Sequence, residues 1–234
     1  MLSRLNVAKT AAEFLGVAIL TSVLLAVGKS GVGYSYFLSS GVALAFLGAS
    51  LLLARVSGAQ FNPAVTLGLW SSRRITTYRA VSYLAAQFAG GAAAWWLYTY
   101  LAHQPLPTTA QVFAWRVLVA EAIAGLVIAF GVAAAIYQEF EGLQYAATIA
   151  GAIFIGTLVA SLGSNGIGNP AIALGVHDWS WAYVAGPLIG GILGVNLYLY
   201  LFAPKAVFAS AVKAATVNKS VAKKTSAAPR RKKK

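Results

Sequence analysis

The chain has 234 residues, 59% of them hydrophobic and only 10% charged. A soluble domain is nearer half apolar and about a quarter charged, so five acidic residues exclude a water-facing globule. The absence of cysteine excludes disulfide frameworks, thiolate metal sites and cysteine nucleophiles. The net charge of +13 is unevenly spread, because residues 205–234 hold ten of the eighteen basic residues and no acid.

Apolar runs of about 20 residues, the length that crosses a bilayer, occur six times. They cover 10–28, 37–56, 80–102, 112–137, 145–163 and 179–203. The first is long enough to remain as a span instead of a cleaved leader. Two further apolar pieces, after Asn62 and after Asn169, are bounded by Gly and Pro and are too short to cross. They are expected to re-enter the membrane and turn back. Basic residues set the orientation. Arg4 and Lys9, the group Arg73, Arg74 and Arg79, and the tail all fall on one side of six spans. Both termini are therefore expected in the cytoplasm, with the protein in the cytoplasmic membrane. The expected organisation is an N-terminus at 1–9, a channel domain at 10–203 built from repeats at 10–102 and 112–203, and a basic, disordered tail at 204–234. That tail suits contact with anionic lipid, and no nucleic acid is expected as a partner, since no folded module or interleaved aromatics accompany the charge.

The two halves repeat each other. Ala12-Glu13 opens the first span, and Asn62-Pro63-Ala64 follows Glu13 by 49 residues. Ala120-Glu121 lies in the fourth span, and Asn169-Pro170-Ala171 follows Glu121 by 48. Each triplet runs on into Leu-Gly, at Leu67-Gly68 and Leu174-Gly175. Three spans per half insert the second half upside down, and such an inverted repeat places its site at mid-membrane. Asn is a favoured N-cap and Pro a favoured first helical residue, so each triplet starts a helix. Eight residues from Pro63 to Trp70 make about 12 Å, under half of the apolar thickness. Two such helices entering from opposite faces bring their N-termini together. Each end carries roughly half a positive charge, which repels cations. The Asn oxygens cap the helices, leaving the amide NH₂ groups of Asn62 and Asn169 toward the lumen.

These residues resemble the major intrinsic protein family, the aquaporins and aquaglyceroporins. The resemblance covers about 10–203 and rests on Ala12-Glu13-Phe14, the block from Ser57 to Thr66, Ala86-Gln87 with Gly90, Ala120-Glu121, Gly168 to Ala171, and Gly186-Pro187. It implies an all-α membrane fold of six transmembrane helices plus two re-entrant half-helices, assembled as a homotetramer with one pore per protomer and no cofactor. It also implies that Glu13 and Glu121 hold the re-entrant segments through backbone N–H groups, and that backbone carbonyls before each triplet form an acceptor ladder. The family's outer constriction usually has an Arg after the second triplet, where this chain has Ile172. The matched fifth-span position is Thr157 and the loop position is Gly166. The second-span position is Val42 by an ungapped count and Phe46 by local match. No charge remains in that ring, so the filter is expected to be wider and more apolar than in a strict water channel. Arg116 is the nearest candidate for a substitute charge, although snorkelling to headgroups is the simpler role. Arg55 is expected at the inner vestibule or the headgroups.

His103 and His177 lack a second ligand at metal spacing and read as loop residues. Trp95, Trp96, Tyr98, Tyr100, Trp115, Trp179 and Trp181 read as interfacial belts. Gly90, Gly91, Gly186, Gly190, Gly191 and Gly194 suit close helix packing. No nucleophile–base pairing, phosphate-cradling loop or metal cluster is legible, so an enzyme is not expected. The function expected is a passive channel for water or small uncharged solutes such as glycerol, urea or gases. The alternative is a non-conducting protein of the same fold with a structural or adhesive role.

Overall fold

A computed structural model describes residues 3–31, 35–103 and 112–203. The basic tail from residue 204 lies outside the described residues. Among the described residues eight helices run in order: α1 (Arg4–Lys29), α2 (Ser35–Ser57), α3 (Pro63–Ser71), α4 (Thr77–Ala102), α5 (Trp115–Tyr137), α6 (Gly142–Ala160), α7 (Pro170–Gly175) and α8 (Trp181–Leu201). All six expected spans are helices of 19 residues or more. Five of them are both long and apolar enough to cross a bilayer. The sixth, α4, matches them in length, but it carries a buried Gln87 and a run of Trp and Tyr that dilute its apolar character.

Helix α1 begins before the apolar run. The apolar run begins near Thr10, whereas α1 starts at Arg4, with the Ser3 hydroxyl capping the Asn6 N–H. The helix continues through polar residues before its apolar stretch begins, so no structural break marks the expected boundary at 9/10.

The short apolar pieces fold as α3, nine residues, and α7, six. At 1.5 Å per residue they reach about 14 and 9 Å. Each half is built on its first and last long helices, α1 against α4 and α5 against α8. Small residues make this possible. On α8, Gly186, Gly190 and Gly194 lie one turn apart, and a Cβ at each would run into the α5 backbone at Leu118, Ala122 and Leu126. Spaced small residues of this kind let helix backbones approach closely in a membrane.

The half-helices are exchanged between halves. Helix α3 packs on α8 of the second half, and α7 packs on α4 of the first. Both seams are built from glycine pairs. A Cβ on Gly191 would meet the Ala64 carbonyl, and one on Gly68 would meet the Gly191 carbonyl at 2.5 Å. In the other seam, Gly91 faces the Ala171 carbonyl and Gly175 faces the Gly91 carbonyl. Gly191→Ala is therefore expected to push α3 off α8. The cost is about 1–3 kcal/mol, typical of overpacking, read as a lower thermal midpoint of the detergent-solubilised protein. An unchanged midpoint would show that this seam yields easily.

The candidate pore

Each asparagine caps its own half-helix. Asn62 Oδ1 accepts from the Ala64 N–H at 2.8 Å, and Asn169 Oδ1 accepts from the Ala171 N–H at 3.0 Å. Each also reaches across the junction. Asn62 Nδ2 donates to the Gly168 carbonyl at 2.9 Å, and Asn169 Nδ2 donates to the Phe61 carbonyl at 2.8 Å. The two helix tips are thus cross-linked by a reciprocal pair of bonds. The sequence-based expectation left both NH₂ groups to the lumen. In the structure each spends one hydrogen on the opposite half, and since a carboxamide has two, one remains.

The segment entering each half-helix is held by a buried carboxylate. Glu13 accepts the N–H of Gln60 at 3.0 Å and of Phe61 at 2.7 Å. Glu121 accepts the N–H of Ile167 at 2.9 Å and of Gly168 at 2.6 Å. In both halves the tethered residues are those two and one before the asparagine, and both side chains are fully buried. The remaining partners differ. Glu13 also accepts from Gln87 Nε2 at 2.8 Å, whereas Glu121 accepts from the Ser164 hydroxyl at 2.7 Å.

Such backbone geometry requires unusual dihedrals. The residues one and three before each asparagine have positive φ: Phe61 (47°) and Ala59 (47°) in the first half, Gly168 (60°) and Gly166 (65°) in the second. Glycine accepts this region freely, but Phe61 and Ala59 are strained there, and such strain persists only where surroundings over-determine it. The Phe61 ring is wedged against Gly16, whose missing side chain makes room for it, and meets Phe46 edge-on at 5.8 Å.

Several carbonyls of the first segment are already used. The Tyr83 hydroxyl donates to the Ser57 carbonyl and the Tyr145 hydroxyl to the Gly58 carbonyl, each at 2.8 Å. With the Phe61 carbonyl taken by Asn169, three oxygens of the expected acceptor ladder have a protein partner.

Among the described residues three cavities adjoin along this junction. The central one is narrow, about 10 Å³, room for roughly one water, and is lined by both asparagines, Gln60, Phe46, Phe61 and aliphatic residues of α1, α5 and α6. A second one, outer in the orientation expected from the basic residues, is equally narrow at about 10 Å³ and is lined by Leu38, Ser39, Thr157, Asn165 and Gly166, among others. Val42, Ile167 and Ile172 border both, forming a collar between them. A vestibule of about 540 Å³ opens on the far side, with Arg55, Arg74, Arg79, Glu141 and Tyr145 in its wall. Gln60 borders both this vestibule and the central cavity.

The structure brings together four of the expected constriction residues: Val42, Thr157, Gly166 and Ile172 all line the outer cavity. Phe46 lies one helical turn from Val42 and lines only the central cavity. Gly166 sits against Thr157, since a Cβ there would strike the Thr157 carbonyl. Arg116 is exposed, with its stem beside Gly163, and does not line the outer cavity. Arg74 is anchored by a 3.0 Å bond to the Tyr137 hydroxyl and lies over that ring at 4.2 Å. His103 ends α4 in the left-handed region, and His177 stacks on Trp95 at 3.8 Å. Gln60, Thr66 and Gln87 were not singled out from the sequence, although all three lie in or beside its motif blocks. The signal was polar residues in apolar runs.

Six long helices, two exchanged half-helices and a polar junction flanked by cavities define a multi-pass integral membrane protein of channel architecture. The chain belongs to the major intrinsic protein family, whose model matches residues 2–198. It is 36% identical over 163 residues to aquaporin TIP4-4 of Zea mays, covering 63% of this chain and 64% of that one. It is 27% identical over 197 residues to aquaporin AqpM of Methanothermobacter thermautotrophicus, covering 72% and 78%. The solved aquaglyceroporin of Plasmodium falciparum superposes with a TM-score of 0.65 at 20% identity, covering 82% of this chain and 95% of that one. At that identity the likeness speaks for the fold.

Proposed function

We propose that the chain conducts water and small uncharged solutes passively through the passage between its halves. The observation that supports this most directly is the reciprocal capping of the two asparagines. Each helix tip is completed by the other half, and both amides border the central cavity. Two helix N-termini pointed at one place oppose cations, and the remaining amide hydrogens offer a passing oxygen a donor.

The collar of Val42, Ile167 and Ile172, with Thr157 and Gly166 above it, is the size limit in this reading. It carries no charge, and aliphatic surface there favours solutes with some apolar surface over a strictly aqueous file. Small solutes such as urea and glycerol therefore stand beside water as permeants. Glu13 and Glu121 act as struts for the pore segments and do not meet the permeant. The resemblance of this chain to its relatives supports a homotetramer with a pore in each protomer. The charge distribution supports cytoplasmic termini, with the arginine-lined vestibule as the inner mouth. The basic tail suits anionic headgroups.

Stopped-flow light scattering of proteoliposomes tests the reading. Sucrose shrinkage should exceed that of empty vesicles, and reswelling with urea or glycerol should exceed it as well. Rates equal to empty vesicles for all three would favour the non-conducting role.

A further inference from the structure

Gln60 occupies the neck between the central cavity and the vestibule, and its side chain is held in one orientation by a chain of buried groups behind it. The chain starts at Glu13. A carboxylate offers only acceptors, so Gln87 must turn its NH₂ toward Glu13 Oε2, at 2.8 Å. The same nitrogen lies 2.9 Å from Thr66 Oγ1 and gives it the second hydrogen. Thr66 has one proton to give. Its shorter contact is Gln60 Oε1 at 2.8 Å, against 3.3 Å to Gln87 Oε1. Gln60 therefore presents its oxygen to Thr66, and its NH₂ points away. Among the described residues no hydrogen-bond partner meets that NH₂, and the residue borders two cavities.

We propose that Gln60 is a specificity-determining residue of the inner neck, a donor group whose orientation is set by Thr66, Gln87 and Glu13. This inference rests on the channel reading above. The carboxamide turns its two hydrogens toward a permeant and its oxygen toward Thr66. Oxygen-bearing solutes, whether water, a urea carbonyl or a polyol hydroxyl, can replace their lost hydration there. A cation cannot, and it approaches from a vestibule whose wall carries Arg55, Arg74 and Arg79 against one acid, Glu141. The device is one-sided. The residue related to Gln60 in the second half is Ile167, which belongs to the apolar collar.

Thr66 separates orientation from pore size, because it is fully buried and lines neither cavity. In proteoliposomes, Thr66→Val should lower water permeability by about 2- to 10-fold, the loss of one well-placed hydrogen bond. Thr66→Ser keeps the hydroxyl and should restore the wild-type rate. Gln60→Met, nearly the same size but without donors, should lower the rate at least as much. The double variant should be no slower than Gln60→Met alone, since Thr66 acts through Gln60. Wild-type conduction with an unaffected Thr66→Val, or additive losses in the double variant, would overturn this assignment and leave the channel intact. A wild-type protein that conducts nothing would overturn the channel reading, and this one with it.

Discussion

Replacing Ile172 by arginine should close the pore to urea and glycerol while leaving water flow largely intact. Ile172 is 1% exposed and borders both the outer and the central cavity, so a longer side chain has to extend into the passage. A guanidinium there finds Thr157 and Gly166 in the wall of the outer cavity, and water in the passage hydrates the rest of its five donors. The remaining aperture is narrower and polar. Solute reswelling should fall at least tenfold, about 1.4 kcal/mol in the barrier, with osmotic water flow changed by less than about threefold. Cation leak should fall as well, because a fixed positive charge then stands in the collar. Ile172→Val, which removes one methylene, should keep or raise solute flux. Should Ile172→Arg reswell in urea at the wild-type rate, the collar is not the size limit and the constriction lies elsewhere, with the Gln60 neck the next place to look.

The difference between what the residues reveal in one dimension and in three tracks the range of the forces involved. The spans were legible because a bilayer imposes about 20 consecutive apolar residues, and that signal is local. The start of α1 was not, because Arg4 to Lys9 continue the helix where apolar content no longer reports on it. Asn62 and Asn169 announce helix starts by their own chemistry, so α3 and α7 were expected where they lie. Val42 and Phe46 could not be separated by counting. They sit one turn apart on the same face of α2, and a one-turn shift moves a residue along the pore without turning it away. The chain from Glu13 to Gln60 was hidden because its members come from three places. Gln87 is 74 positions from Glu13 and 21 from Thr66, and nothing local marks them as partners. The cross-capping of the asparagines was hidden for the same reason: each amide meets a backbone carbonyl more than a hundred positions away.

The two struts should fail in different ways when removed, although they occupy related places. Glu13→Ala and Glu121→Ala each leave two buried backbone N–H groups without an acceptor, at about 1–3 kcal/mol apiece. The response of each segment then depends on the dihedrals its strut was holding. In the second segment the left-handed positions are Gly166 and Gly168, which gain nothing by relaxing. In the first they are Ala59 and Phe61, which each recover roughly 1–2 kcal/mol on leaving that region. Relaxation therefore offsets part of the stability loss in Glu13→Ala, at the expense of the shape that the strut maintained. Phe61 also carries the carbonyl that accepts from Asn169, so its movement breaks one of the two bonds across the junction. Thermal unfolding in detergent should show the larger fall in midpoint for Glu121→Ala. Stopped-flow assays should show the larger loss of water and urea permeability for Glu13→Ala, beyond tenfold. Glu13→Gln, which can accept one backbone N–H but turns an NH₂ toward the other, should fall between wild type and alanine in both measurements. Equal losses of permeability in the two alanine variants, or a lower midpoint for Glu13→Ala, would mean that strain at Phe61 plays no part in shaping the pore.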